Sequence, residues 1–445
     1  MLLIILCTVA AAQITTDESP ADPKINRQRG LDILSQIKDK ISERYYDRGF
    51  HGIDLDKRFK AAQERIKGLQ TNSQIFRVIA QAVLDLDDSH TFFLPPSRFK
   101  RTEYGFSLQM IGDKCYVVDV KPGTDAQAQR LKVGDVVSRV GNIVPGRATL
   151  WKLEYLLYIL DPQQVVTLTL MGNNGNTHAL TIRSRIVAHA EQERESEQRA
   201  KNEKIRPELK FTPYKCVEID ADLVACRLYT FKVDSSVIDK MMKTGVTGHK
   251  KLILDLRSNP GGYVETEAHL TSYFFDHAIK IGTEVSRGKS KERIAKSRKD
   301  GGFGGDLAVL VDSKSASASE LFARVVQIEK RGKVIGDVTA GKVMEGQLFR
   351  LATARGALAF GFGAFSAFGV EVTVADLVMS DGQRLEGKGV IPDVVIGPTD
   401  RALAEGADPI LAQAVAAYGS RLSPEGAGKF HFITRVPEPG EEPTP

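Results

Sequence analysis

The stretch Leu252-Ile-Leu-Asp-Leu-Arg-Ser-Asn-Pro-Gly-Gly262 constrains the fold more than any other part of the chain. An apolar run that stops abruptly on Asn-Pro-Gly-Gly reads as a buried strand running into a glycine turn, whose N–H groups are free to face a pocket. Strand-like Leu223 to Phe231 precedes it. A helical Glu265 to Phe275, an apolar Leu307-Ala-Val-Leu-Val311, a helix near 318–329 and Lys333-Val-Ile-Gly336 follow. Strands alternating with helices imply a layered α/β core.

Two short motifs downstream carry chemistry. Val311-Asp-Ser-Lys-Ser-Ala-Ser-Ala-Ser-Glu320 and Thr339-Ala-Gly-Lys342 place Ser317 and Lys342 in a strand-helix-strand context that brings them together. A serine hydroxyl needs a neighbour to take its proton, and lysine does so only as the neutral amine. A lysine pKa near ~10.4 must fall by about three units, at roughly 4 kcal/mol, to serve near neutrality. The flanking Val338, Ala340, Val343 and Met344 supply an apolar setting. Bland readings compete with both residues. Ser317-Ala-Ser-Glu320 is also an S-x-x-E capping box, and a single lysine is ordinarily on the surface. Gly336 to Lys342 imitates a phosphate loop, but Val343 stands where a Ser or Thr hydroxyl is required, so nucleotide binding is rejected.

At 445 residues and 42% hydrophobic content the chain has room for two or three domains with ordinary cores. A net charge of +5 is too mild to indicate nucleic acid, and the basic run from Arg287 to Lys299 reads as a solvated loop. The eight histidines show no metal-binding pairing, so no metal and no cofactor are expected. Residues 1–12 are apolar and end in Ala10-Ala11-Ala12, which fits a signal peptide without the usual basic start. Leu6 before Cys7 disfavours a lipid anchor, and no later run reaches the ~20 residues of a membrane span. The expected location is outside the cytoplasm, periplasmic or extracellular. Cys216 and Cys226 flank a plausible hairpin turn, where a disulfide and two buried thiols are both consistent.

Beyond residues 1–12, the organisation reads as a helical unit over 25–100, a β-rich domain over 101–186, a charged linker or helix over 187–208, an α/β core over 209–430 and a disordered tail over 431–445. In the helical unit Ile33, Leu34, Ile37, Ile41 and Tyr45 recur at helical spacing. The β-rich segment runs from Tyr104-Gly-Phe-Ser-Leu108 through Cys115 to Val120, Gly134-Asp-Val-Val137, a helical Leu150 to Leu160, and Val165 to Met171. This order resembles a PDZ domain of the circularly permuted type found in bacterial proteases. That resemblance implies that a peptide adds to the strand opening at Tyr104, Gly105, Phe106 and Ser107, with its terminal carboxylate on the N–H groups of the Gly105 loop. Arg98, Lys100 and Arg101 lie just upstream, as a charge for that carboxylate or as a solvated cluster.

Taken with Leu385-Glu-Gly-Lys-Gly-Val-Ile-Pro-Asp393, the order of helical unit, PDZ segment and α/β motifs resembles the C-terminal processing, or tail-specific, serine proteases. The resemblance implies an α/β multidomain chain with a layered core of the ClpP and crotonase type. It implies Ser317 as nucleophile, Lys342 as general base, and Ala318 and Gly262 as backbone oxyanion donors, with Gly261 an alternative to Gly262. Gln347 would orient Lys342 if a one-residue bulge offsets the family spacing, which places Gln where Gly346 stands. Ser89-His90 resembles the Ser-His pair of tricorn-like relatives, making His90 the alternative base. The implied partners are proteins or peptides with a free C-terminus, together with an adaptor or further copies of the chain. The competing reading is a catalytically inactive PDZ-containing binding or adaptor protein on the same fold.

Overall fold

A computed structural model of the chain describes residues 22–96, 100–172, 174–188, 213–298, 302–352 and 368–430. The expected signal peptide, the tail over 431–445 and most of the charged linker lie outside the described residues.

Three helices open the fold, Pro23–Arg44, Leu55–Lys67 and Asn72–Leu84. Each begins on a side chain that accepts an otherwise unpaired N–H: Asp22, Asp54 and Thr71, the last in a capping box with Gln74. The first buries Ile33, Leu34, Ile37 and Ile41 against Ile66, Ile75, Ile79 and Val83. The middle helix is absent from the sequence reading, because its apolar positions Leu55, Phe59, Ala62 and Ile66 sit among charged residues.

The inserted domain is a five-stranded antiparallel sheet in sequence order, from Phe106–Ile111 to Thr177–Arg183. Helix Leu150–Glu154, continued by a wider π-helical turn Tyr155–Leu160, packs Leu153 and Leu157 among Phe106, Leu108 and Met110.

The core sheet has six strands in the order Val394–Val395, Lys333–Gly336, Asp306–Val311, Lys251–Asp255, Leu223–Leu228 and Tyr214–Glu218. All pair in parallel except the last, which is antiparallel and is bonded to its neighbour through the Cys216–Cys226 disulfide. Strand alternation divides the side chains between two faces. Val224, Cys226, Leu252 and Leu254 meet helices Ser235–Met241, Val264–Ser272 and Ala318–Ile328. Leu223, Ala225, Ile253 and Leu310 meet helix Pro409–Ala417.

The layered core of ClpP and crotonase type requires correction. A second sheet, antiparallel and five-stranded, is built on the twelve-residue strand Phe368–Met379, which pairs with Phe92–Leu94, Ile279–Ser286 and Glu345–Leu351; Lys289–Ala295 completes it. One end of the long strand, with Val370 and Val372, is buried in the core of the helical unit, and the other, with Leu377 and Met379, in the α/β core. The helical unit and the core are therefore fused through one strand. The sequence reading assigned no strand to 368–379 and had no basis for this sheet.

Candidate active site

The turn after strand Lys251–Asp255 and the loop after strand Asp306–Val311 end side by side and are tied by Asp312. Its carboxylate accepts the Ser258 N–H at 2.8 Å and the Ser258 hydroxyl at 2.9 Å, and also the Lys314 and Ser315 N–H groups at 2.9 and 3.0 Å. Fully buried Asn259 fixes the turn, its amide donating to Leu228 O and its Oδ1 accepting the Gly261 N–H at 2.9 Å. Gly261 and Gly262 have φ of +93° and +147°. A Cβ on Gly261 would lie 2.7 Å from Ser317 Cβ, and one on Gly262 would lie 2.1 Å from Lys232 N. Only glycine fits either position.

Ser317 opens the helix Ala318–Ile328 in a conformation rare for a side-chain-bearing residue, φ 54° and ψ −120°. Its N–H donates to Lys342 O at 2.9 Å and to Glu320 Oε2 at 3.0 Å. Buried Glu320 gathers the site, its carboxylate also accepting the Lys342 N–H at 2.9 Å, the Gly341 N–H at 2.7 Å and the Thr339 hydroxyl at 2.5 Å. Burial pushes its pKa up to about 7 against these donors. Glu320, read from sequence as a capping partner, is thus also the bracket between the Ser317 and Lys342 segments. Among the described residues the Ala318 and Gly262 N–H groups meet no acceptor, whereas that of Gly261 is taken by Asn259.

Lys342 is held mostly out of water, and burial lowers its pKa despite the opposing charges of Glu154, Glu386 and Glu320; Lys314 adds to the lowering. Its Nζ lies 5.2 Å from the centre of the Trp151 ring, on the helix of the inserted domain. His90 belongs to the same site. Its Nδ1 is 2.7 Å from the Ser89 hydroxyl, and burial holds it down to about 4, with the charge of Lys342 pushing the same way and Asp88 opposing. Glu386 connects the two candidate bases, accepting the Ser89 N–H at 3.1 Å on one oxygen and the Val343 N–H at 3.0 Å on the other. Among the described residues no hydrogen bond joins the Ser317 hydroxyl to Lys342 Nζ or to the His90 ring.

Gln347 stands apart. It is exposed on strand Glu345–Leu351, opposite Val372. The register does slip between Glu345 and Gly346, but the extra residue is on the partner strand, Glu345 facing Ala375 and Gly346 facing Thr373, so Gln347 is not carried toward Lys342. Tyr104, Phe106 and Ser107 are buried within the inserted domain, beside Gly105. The Tyr158 hydroxyl donates to Phe106 O at 3.3 Å, and the Tyr104 hydroxyl accepts the Gln163 N–H at 2.8 Å. No local pattern marks Trp151 or Glu154, which reach the site through domain docking, and the 385–393 motif does not disclose that Glu386 reaches it from a distant loop. Among the described residues no cluster of three or more His, Cys, Asp or Glu is placed to hold a metal, and no helix is long and apolar enough to cross a membrane.

Residues 223–396 match the model of peptidase family S41. A probable CtpA-like serine protease of Staphylococcus aureus (strain COL) is 25% identical over 385 residues, covering 83% of this chain and 65% of that protein. The chain thus spans just under two-thirds of the staphylococcal relative. The chloroplastic carboxyl-terminal-processing peptidase 2 of Arabidopsis thaliana is 23% identical over 417 residues, covering 88% of this chain and 73% of that protein. Among solved structures, the photosystem II D1 C-terminal processing protease aligns with TM-score 0.52 at 20% identity, over 83% of this chain and 93% of that one. Mature CPAF aligns with TM-score 0.63 at 14% identity, over 85% and 94%. Both alignments extend well beyond the length of the 223–396 family match. The fold is therefore that of these proteases, in place of the ClpP and crotonase type expected from sequence.

Proposed function

We propose that this chain, a member of peptidase family S41, is a serine endopeptidase of the C-terminal processing type that uses Ser317 as nucleophile and Lys342 as base. The observation that carries the reading is the Glu320 bracket. One carboxylate fixes the N–H groups of both Ser317 and Lys342, while the helix that Ser317 opens turns the Ala318 N–H toward the place where negative charge would develop.

In this reading the Ser317 oxygen attacks the peptide carbonyl as its proton passes to Lys342 Nζ. The tetrahedral oxyanion accepts the Ala318 and Gly262 N–H groups. Gly261 is the weaker candidate, since its N–H is already donated to Asn259. Collapse breaks the C–N bond, and Lys342 returns the proton to the leaving amine. Water then attacks the Ser317 ester by the same route in reverse. A lysine with lowered proton affinity suits that traffic.

A second base is supported by one arrangement, the Ser89–His90 contact anchored through Glu386 beside Lys342. Burial holds His90 down to about 4, which favours the neutral imidazole but also makes it a weak proton acceptor. Lys342→Ala abolishing turnover identifies lysine as the base, whereas residual turnover that vanishes in His90→Ala moves the role to histidine.

The substrates are proteins with a free C-terminus, read by the inserted domain along Phe106–Ile111. The Tyr158 hydroxyl already donates to Phe106 O, so an added strand would share or displace that contact. Work outside the cytoplasm is supported by the Cys216–Cys226 bond. The test is mass spectrometry of an unstructured protein incubated with the full chain and with Ser317→Ala. Products confined to the unaltered chain support a serine endopeptidase; none from either chain favours a PDZ-containing binding protein. Unchanged cleavage of a peptide after amidation of its C-terminus removes terminal recognition.

A further inference from the structure

The chain contains a single tryptophan, and it lies on the inserted domain yet against the core's lysine. The domain is latched in that position. Arg147 meets both oxygens of Asp337 at 2.6 Å and donates to Val338 O at 3.0 Å, while the Gly112 N–H reaches Asp337 at 2.9 Å. Gln109 donates to Asp312 at 3.0 Å, and Lys152 pairs with Asp87 at 2.6 Å. Asp312 is the residue that ties the glycine turn to the Ser317 loop, so the docking contacts and the site share one carboxylate.

We infer that Trp151 and Glu154 are positioning residues of the active site, the docked helix forming the wall that keeps water from Lys342 and sets a carboxylate beside its amine. This rests on the Ser317–Lys342 reading for its catalytic consequence, though the contact itself does not. The wall has two opposed effects. Excluding water disfavours the ammonium, whereas the Glu154 charge and the face of the indole favour it. The other groups facing the amine are Glu386, Glu320 and Lys314, with His90 close by, and all of these belong to the helical unit or the core. Only Trp151 and Glu154 leave with the inserted domain. Undocking would therefore return the amine to water and to its ordinary, protonated form. Docking keeps it a base.

The sole tryptophan supplies a readout independent of proteolysis. In the full chain carrying Ser317→Ala, Trp151 emission is followed through the neutral and alkaline range. The expected result is a transition that Lys342→Met removes. Glu154→Gln lowers its midpoint by about one pH unit, and Arg147→Ala raises it by a similar amount with a red-shifted emission. The opposite signs distinguish positioning from general loosening, which would move both variants the same way. Emission indifferent to Lys342→Met, or equal displacement by Glu154→Gln and Arg147→Ala, overturns the inference. In the unsubstituted chain the rate of Ser317 acylation by an active-site probe should follow the same midpoints. If Arg147→Ala instead accelerates acylation equally at every pH, the domain is only a lid and the inference fails. Failure of Ser317 to acylate at all, with the emission behaving as expected, defeats the protease reading and leaves the contact standing.

Discussion

The main chains of Ser317 and Lys342 are joined directly, the Ser317 N–H donating to the Lys342 carbonyl at 2.9 Å. The relation between proposed nucleophile and base is therefore set by backbone, and Glu320 reinforces it from the side. Such a scaffold holds its geometry without substrate, as preorganised catalysis requires.

Glu320→Gln tests the bracket. The carboxylate accepts four donors, and an amide nitrogen in place of either oxygen would face an N–H or hydroxyl donor. Leaving buried donors unmet costs about 1–3 kcal/mol. Thermal denaturation should show a clear fall in Tm, with turnover down by about tenfold or more. Unchanged Tm and turnover would remove Glu320 from the account.

Ser317 stores strain. A residue with a Cβ at φ 54° and ψ −120° costs on the order of 1–3 kcal/mol relative to glycine. Ser317→Gly should therefore raise Tm while eliminating turnover. Equal or lower stability of the glycine variant would show that this backbone carries no strain.

Gly261→Ala probes the contact between the turn and the nucleophile. The added methyl would meet Ser317 Cβ at 2.7 Å and the backbone atoms Ala316 O at 2.8 Å and Ala318 N at 3.0 Å, which have little freedom to yield. Overpacking of this kind costs about 1–3 kcal/mol. Acylation of Ser317 should slow more than the stability loss alone explains, and wild-type acylation rates would contradict the placement.

Burial raises several carboxyls, among them Glu267 to about 8 and Glu320 and Glu371 to about 7, with Glu154 and Glu386 moved the same way. A raised carboxyl binds its proton more tightly folded than unfolded. Its stabilisation is complete below the unfolded value of 4.5 and disappears as pH rises through 7 to 8. Calorimetry should therefore find Tm falling across that window. Glu267 has one oxygen on Thr271 and the other without a hydrogen-bond partner among the described residues, so Glu267→Gln should flatten the fall and gain about 1–3 kcal/mol on its alkaline side. A variant profile parallel to wild type would exclude Glu267 as a cause.

Much of the core was legible because its signals are local. The apolar run ending at Gly262 and the serine motif at 317 each encode a strand and the turn or helix that follows it. The Trp151 wall was not, since it depends on how one domain lies against another. Glu386 lies within the 385–393 motif, but its role is fixed by a loop far from both Ser89 and Lys342 in sequence. For Gln347 the relevant feature is the register. A bulge on the partner strand leaves the outward face of Glu345–Leu351 unchanged. The long strand Phe368–Met379 escaped because it is buried along nearly its whole length, its two ends in different cores, so no simple alternation marks it.

The most direct test of the central claim is to treat the full chain with an acylating active-site probe and map the adduct by peptide mass spectrometry. A single adduct on Ser317, absent from Ser317→Ala and formed far more slowly in Lys342→Met than in His90→Ala, is the predicted result. A folded chain that acquires no adduct, or acquires it on another serine, would contradict the Ser317–Lys342 site.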